Sequence, residues 1–403
     1  MRLFFLKSAI LFSAFLLLFF STAKSQEIGE VLGQEVNTIT TAVPFLMIAP
    51  DARSGAMGDV GVSTSPDANS MHWNPAKYAF VEEEMGLTAN YTPWLRSLVN
   101  DINLSYLSGF RRIDELQTVA ASLVFFSLGD IQFTDEAGNP QGIYRPSEFA
   151  VDVAYARKLG EFISGAIAVR YIHSNLTQGQ NVASMETRPG RSLAADVSAF
   201  YQRELNWVNT PATFAAGINI SNIGNKISYS DDWNANFIPI NLRIGPTLKL
   251  DLDEYNALAF SIDFNKLLVP TPPIYQRDEN GQVMVDDDNR YIIQSGKDPN
   301  RGVVEGIFGS FSDAPGGFRE EMQEITYGFG MEYWYDRQFA LRGGYFHEHE
   351  NKGNRKYFTL GLGLKYNVFG IDFSYIIPVM QRSPLENVFR VSLSFDFDAM
   401  GPQ

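Results

Sequence analysis

Alternation of apolar and polar residues with period 2, sustained for about ten residues at a time, is the feature that most narrows what this chain can fold into. In "NALAFSIDFNK", Leu258, Phe260, Ile262 and Phe264 point one way and Ala259, Ser261, Asp263 and Asn265 the other. In "FRVSLSFDFD", Phe389, Val391, Leu393, Phe395 and Phe397 oppose Arg390, Ser392, Ser394, Asp396 and Asp398. In "KYFTLGLGLKY", Phe358, Leu360, Leu362, Leu364 and Tyr366 oppose Tyr357, Thr359, Gly361, Gly363 and Lys365. Successive strand side chains alternate faces, so each segment has one greasy face and one polar or small face. A soluble sandwich would show the same period. Its strands, however, are usually about 5–6 residues long, whereas about ten suit a tilted strand crossing a bilayer.

The pattern predicts fourteen strands, at 85–92, 101–110, 116–126, 147–159, 162–174, 191–203, 212–222, 239–251, 255–266, 325–335, 338–347, 356–366, 369–377 and 388–397. An even count suits a closed barrel, which leaves no unpaired edge in lipid. Turns after even-numbered strands are tight, such as "RRIDE", "GE", "LDE" and "DR", with "ELNWVNTP" the longest. Loops after odd-numbered strands are mostly long: 127–146, 175–190, 223–238, 267–324, 348–355 and 378–387. The expected fold is an all-β, 14-stranded antiparallel outer-membrane β-barrel spanning 85–397, with an N-terminal plug or hatch segment. Short turns are expected in the periplasm beside the mature N-terminus, and long loops outside the cell.

The first residues, "MRLFFLKSAILFSAFLLLFFSTAKSQ", carry Arg2 and Lys7, an apolar run, and Ala23-Lys24-Ser25 before Gln26. That is the pattern of a secretory signal peptide over 1–25, too short for a comfortable spanning helix. Its removal takes the formal charge from −14 to −17, a poor balance for binding nucleic acid. The absence of cysteine rules out disulfides and thiolate metal sites. Residues 26–84 read as a leader and plug. "SPDANSMHWNPAKYAF" (65–80) packs Asp67, Asn69, His72, Trp73, Asn74 and Pro75 together, mostly turn, cap and space-filling types. This stretch is too short for a core of its own and is expected to enter or brace the barrel. Residues 398–403 form a C-terminal tail, so the last strand does not end on a terminal aromatic.

Chemistry is sparse. His347 and His349 share a strand face but lack a third ligand, so a polar rim is favoured over a metal site. "DEN" (278–280) and "DDDN" (286–289) lack full calcium-loop spacing and read as solvated acidic loops. His173 and Ser174 have no spacing that supports a hydrolase. No nucleophile elbow, P-loop or dinucleotide fingerprint occurs. No catalytic residue, cofactor or metal is expected. Trp94 and Trp233 at one set of strand ends and Trp207 and Trp334 at the other suggest aromatic girdles. Asn280-Gly281 predicts a hairpin turn in the 267–324 loop, and the rest of that loop reads as irregular surface. Pro270, Pro272, Tyr275, Tyr291, Phe308 and Phe311 make this loop the candidate partner contact.

With these residues in view, "PFLMIAPDARSGAMGDVGVSTSPDANSMHWNPAKYAF" resembles the N-terminal signature of the PorV (LptO) family of the Bacteroidetes type IX secretion system. That family is similar to FadL-like fatty-acid transporters, fourteen-stranded barrels with a hatch and an Asn-Pro-Ala element, here Asn74-Pro75-Ala76. The resemblance implies a non-enzymatic role in the bacterial outer membrane. The implied partners are the large translocon barrel (SprA or Sov), cargo with C-terminal signal domains, a PorU-like sortase with its attachment complex, and outer-membrane lipid.

A FadL-like transporter of hydrophobic small molecules is the alternative, and a lipid hydrolase a third. A transporter needs an apolar lumenal pocket, for which Phe45, Leu46, Met47 and Ile48 are the candidates. The expected lumen-facing set of Arg390, Lys365, Asp263, Asp152 and Arg170 favours a filled, structural interior instead.

Overall fold

The alternating segments close into a ring. The computed structural model describes residues 37–99, 101–134, 139–179, 187–230, 235–288, 290–380 and 383–397. The signal peptide, the leader to residue 36, Trp233, Asn289 and the tail from 398 lie outside them. Fourteen antiparallel strands form a closed barrel in chain order, with the first paired to the last. They are β1 (Met85–Pro93), β2 (Asn103–Arg112), β3 (Gln117–Ser127), β4 (Ser147–Lys158), β5 (Ile163–Asn175), β6 (Gly190–Trp207) and β7 (Thr210–Gly224). The second half comprises β8 (Asn241–Asp251), β9 (Asn256–Leu267), β10 (Thr326–Tyr335), β11 (Phe339–His347), β12 (Lys356–Tyr366), β13 (Phe369–Pro378) and β14 (Phe389–Asp396).

Local chemistry explains the tight turns. Asp114 Oδ1 accepts from the Leu116 N–H at 2.8 Å, and Asp253 Oδ1 from Tyr255 and Asn256 at 2.9 and 2.8 Å. Each aspartate thereby folds its own backbone back. Expected and observed strands agree within two residues except at the end of β6, which runs to Trp207 instead of 203. Val208 and Asn209 both adopt left-handed backbone (φ 50° and 66°) and turn the chain in two residues. Glu204, Asn206 and Trp207 are exposed, so this extension lacks the one-sided burial that produces alternation.

The apolar faces point outward. Ile262, Phe264, Phe358, Leu360, Leu362, Leu364 and Leu393 are exposed, whereas Asp263, Thr359, Arg390 and Ser392 are buried inside. No helix among the described residues is long and apolar enough to cross a membrane, and the barrel crosses with strands. The β8–β9 ladder skips from Ile244↔Phe264 to Thr247↔Ser261 because Pro246 has no N–H to donate.

The expectation of an irregular 267–324 loop is overturned. This loop holds a small sheet (Ile274–Tyr275 with Ile293–Ser295) and two helices, Val303–Gly309 and Phe318–Gln323. Both helices are under two full turns, too short to leave a clear 3.6-residue pattern. The predicted Asn280-Gly281 turn is present. Gly281 has φ 78°, and Arg277 and Val283 bridge across it.

The described residues begin at the long-loop end. Asn37 donates from its N–H to Asn351 O at 3.0 Å and from Nδ2 to Pro272 O at 3.1 Å, both at the long-loop end. β1 begins at the opposite end, with Met85 paired to Arg111 near the 113–116 turn. Residues 37–84 therefore run the length of the lumen.

Candidate functional site

The lumen changes character along this path. At the long-loop end, Val43, Phe45 and Leu46 pack with inward-facing Leu104, Tyr106, Val124, Phe126, Ile172 and Ile238. A short 3-10 helix, Pro44–Met47, presents them, and Phe45 stacks parallel to Phe126 at 6.1 Å. Met47 and Ile48 are half-buried. The candidate pocket residues thus fill the apolar end, and Phe45 and Leu46 belong to its core.

Below this lies a belt of paired charges. Arg170 is paired with Asp152 and with Asp196 (3.2 Å) and bonds Asn222. Arg390, fully buried, donates to Ala49 O at 3.1 Å and pairs with Asp59 at 3.3 Å. Asp263 accepts from the Gly61 and Val62 N–H groups at 2.8 and 2.9 Å. Nearer the short turns, Arg53 pairs with Asp67 and Glu332, and Arg342 pairs with Glu332 and Asp372. Burying a charge is costly unless it is paired and hydrogen-bonded, and Arg53–Glu332, Arg390–Asp59 and the bonds to Asp263 also tie residues 51–67 to the strands. Of the five predicted lumenal charges, four are buried. Lys365 is half-exposed at the short-turn end, paired with Asp396 at 2.6 Å.

Residues 65–80 lie among these groups. Asp67 Oδ1 accepts from the Asn69 N–H at 3.0 Å. Asn69 makes no helix-capping bond and instead accepts from Asn90 Nδ2 at 2.9 Å. Trp73 Nε1 donates to Asp51 at 2.6 Å, and Arg243 sits 4.6 Å over the indole. Asn74 caps the Pro75–Phe80 helix through Ala76 N at 3.0 Å, and its Nδ2 reaches Val62 O and Ala199 O. Pro75 supplies the preset φ of the first helical turn. Burial, then the nearby Arg243, Arg170 and Arg390, hold the His72 imidazole well below its usual range, so it is neutral. Burial likewise lowers Lys77 to about 8.

Glycines bring backbone against backbone here. A Cβ on Gly344 would overlap Gly58 N and Met57 C, and one on Gly217 would overlap Val62 O. Larger residues would keep the N-terminal segment off the wall.

Other candidates are separated by geometry. Ser174 points inward to Glu148 at 2.6 Å and Tyr229 at 2.9 Å, whereas His173 stacks on Phe149 at 5.0 Å along the outer wall. Strand alternation puts them on opposite faces. His347 stacks on Tyr327 at 4.7 Å, while His349 Nδ1 accepts from Asn351 N at 3.3 Å. Among the described residues no group of three or more metal-ligating side chains forms. Asp278 and Asp286 are bound to their own hairpin backbones. Trp334 shares the inward face with Glu332 and lies 5.3 Å from Arg342, and Trp94 packs against the mouth clusters. Neither belongs to a lipid-facing girdle, which Trp207 fits better with its exposed position.

The mouth is capped by the 267–324 loop. Lys266 reaches Glu321 and Glu324 at 2.9 and 2.6 Å, and Lys352 reaches Glu320 and Glu324 at 2.6 and 3.0 Å. Asn37 Nδ2 also donates to Glu320 at 2.9 Å, and Thr271 to Glu324 at 2.7 Å. These links hold the Phe318–Gln323 helix down. Pro270 and Pro272 are half-buried at its base, and Tyr275 lies 5.4 Å from the exposed Tyr291. Phe308 is 74% exposed and Phe311 51%. Val304, Phe318 (79%) and Met322, missed in the sequence reading, are exposed with them. The apolar pairs Val304/Phe308 and Phe318/Met322, four apart on helices, were the available signal.

Sequence comparison matches residues 32–274 to a family model described as "Type IX secretion system protein PorV". No curated protein matches the chain. Similar solved structures include the Ralstonia pickettii toluene transporter TbuX (9% identity, 85% of this chain, 96% of that chain, TM-score 0.44). A Pseudomonas aeruginosa FadL homologue has 10% identity, coverage of 90% and 99%, and TM-score 0.45. The Pseudomonas putida toluene transporter TodX has 12%, coverage of 90% and 98%, and TM-score 0.43. At these values nothing about what this chain binds follows from them.

Proposed function

This outer-membrane β-barrel belongs to the PorV family of type IX secretion system proteins, and on that premise we propose that it is a non-enzymatic docking component. Residues 37–84 act as a permanent plug. The long-loop end faces outside the cell, where it binds the SprA- or Sov-like translocon barrel, cargo carrying C-terminal signal domains, or both. Cargo then passes to the attachment complex with its PorU-like sortase.

The observation that carries this reading is the contrast between a lumen filled by paired charges and a capping loop that holds Val304, Phe308, Phe311, Phe318 and Met322 out to solvent. Exposed apolar residues on an anchored base suit protein contact. The alternative, transport of hydrophobic small molecules such as fatty acids, draws support from the apolar end of the lumen. Against it, Phe45 and Leu46 occupy that end themselves.

Affinity purification from the native outer membrane tests the proposal. The wild-type chain should recover a very large barrel and signal-domain cargo. The double variant Phe308→Ser/Phe318→Ser should lose at least tenfold of that recovery while its barrel assembles normally. Recovery of bound fatty acid with neither protein class would favour the transporter.

A further inference from the structure

The outer wall is not uniform around its short-turn rim. Arg111 ends the outward face of β2 after Leu107 and Gly109. Arg157 ends that of β4 after Val151, Val153 and Tyr155, and Arg203 follows Val197, Ala199 and Tyr201 on β6. All three are exposed, and they stand on alternate strands of one arc. Strand spacing sets successive arginines roughly 10 Å apart. Among the described residues, none of the three guanidinium groups has a hydrogen-bond or ion-pair partner, their backbones being paired in the strand ladders. Asp114, the carboxylate that senses Arg157, is already engaged by Leu116 N at 2.8 Å and Gln117 Nε2 at 2.6 Å. Arg203 rests 5.1 Å over the Phe162 ring. The matching rim of β10–β14 carries Tyr335, Phe339, Tyr366, Phe369 and Phe395, and its nearest arginine, Arg337, sits in a turn beside Asp336.

We propose that Arg111, Arg157 and Arg203 form a docking crescent for the phosphate headgroups of anionic phospholipids in the leaflet at the short-turn end. Two observations select this occupant. The crescent is continuous with the apolar, lipid-facing wall, so the next layer outward from Tyr155 and Tyr201 is the headgroup region. And three free guanidiniums on a chain of net charge −14 complement phosphate, which arginine binds through paired N–H donors. The aromatic arc, whose strand-borne cation at this rim, Lys365, is already paired with Asp396, touches lipid without selecting its charge. The barrel therefore holds anionic lipid on one side only.

Native mass spectrometry of the full chain, purified in mild detergent with added phosphatidylglycerol or phosphatidylcholine, tests this. The wild type should retain phosphatidylglycerol at least tenfold better than phosphatidylcholine. Arg111→Gln/Arg157→Gln/Arg203→Gln should lose that preference, and the three Arg→Lys changes should keep part of it. Heat-modifiable gel mobility checks that each variant is a folded barrel. Equal retention by the glutamine variant, no preference in the wild type, or loss of a co-purifying protein with lipid retention unchanged would each overturn the proposal. Failure here leaves the docking role of the long-loop end untouched, because the two faces lie at opposite ends.

Discussion

The two ends of the lumen solve the filling problem in opposite ways. Towards the short turns the wall is mostly of small residues, with Ala154, Ala156, Ala168, Ser164 and Ser198 beside Phe110 and Phe200 against residues 68–80. Charges that need partners find them within the wall, as Arg342 does in Glu332 and Asp372, or across the interface, as Arg53 does in Glu332. Towards the long loops the wall is apolar, and Phe45 and Leu46 fill it by shape. Paired charges tolerate little displacement, since removing one partner strands the other without water. Apolar packing tolerates more, because volume-conserving rearrangement is cheap. The short-turn half is thus built to stay put, and at the long-loop end the freedom to adjust is confined to the apolar filling beneath an ion-paired cap.

The sharpest way to break this contrast is Glu332→Gln, which leaves Arg53 and Arg342 short of a counter-charge and should cost about 3–5 kcal/mol. The heat-modifiability midpoint of the purified barrel should drop steeply, and planar bilayers should record a leak that the wild type lacks. An unchanged midpoint would mean that the ion pairs do not hold the segment. Next comes Gly344→Val, whose side chain collides with backbone at Met57–Gly58 and should cost about 1–3 kcal/mol. Protease should then cut within residues 51–62 of the folded barrel, and continued protection would show the close approach to be dispensable.

The smallest effect is a pH slope. His72 is neutral when folded but ionises once unfolded below about pH 6.5. The unfolded chain then binds more protons, so this contribution is intact above that pH and is lost as pH falls through it. His72→Gln should flatten the decline in midpoint between pH 7.5 and 5.5. An identical decline in both proteins would assign the slope elsewhere.

The strands were legible because lipid outside and polar groups inside impose a two-sided environment that period 2 records. Where neither face is buried, as at Glu204–Trp207, the record stops. The partners of the buried charges were not legible. Arg53 finds Glu332 only once its segment lies inside the ring, and Lys266 finds Glu321 only once the long loop folds back over β9. Glu320, Glu321 and Glu324 lay in a stretch expected to be irregular surface, because their lysines arrive from β9 and from the β11–β12 loop. Trp334 misled because residue type suggested a girdle, while its parity with Glu332 placed it indoors.

The path of residues 37–84 constrains the order of assembly. The segment enters at one mouth and joins β1 at the other, so it is threaded through the ring like a bolt through a nut. Once the ring is shut, such a segment can be installed only by pushing the free end of the chain through it. The simpler order wraps the strands around a segment already in place. The seam between β1 and β14, whose ladder of six pairs from Gly86↔Asp396 to Tyr91↔Val391 is the shortest in the ring, is then the natural last joint to zip.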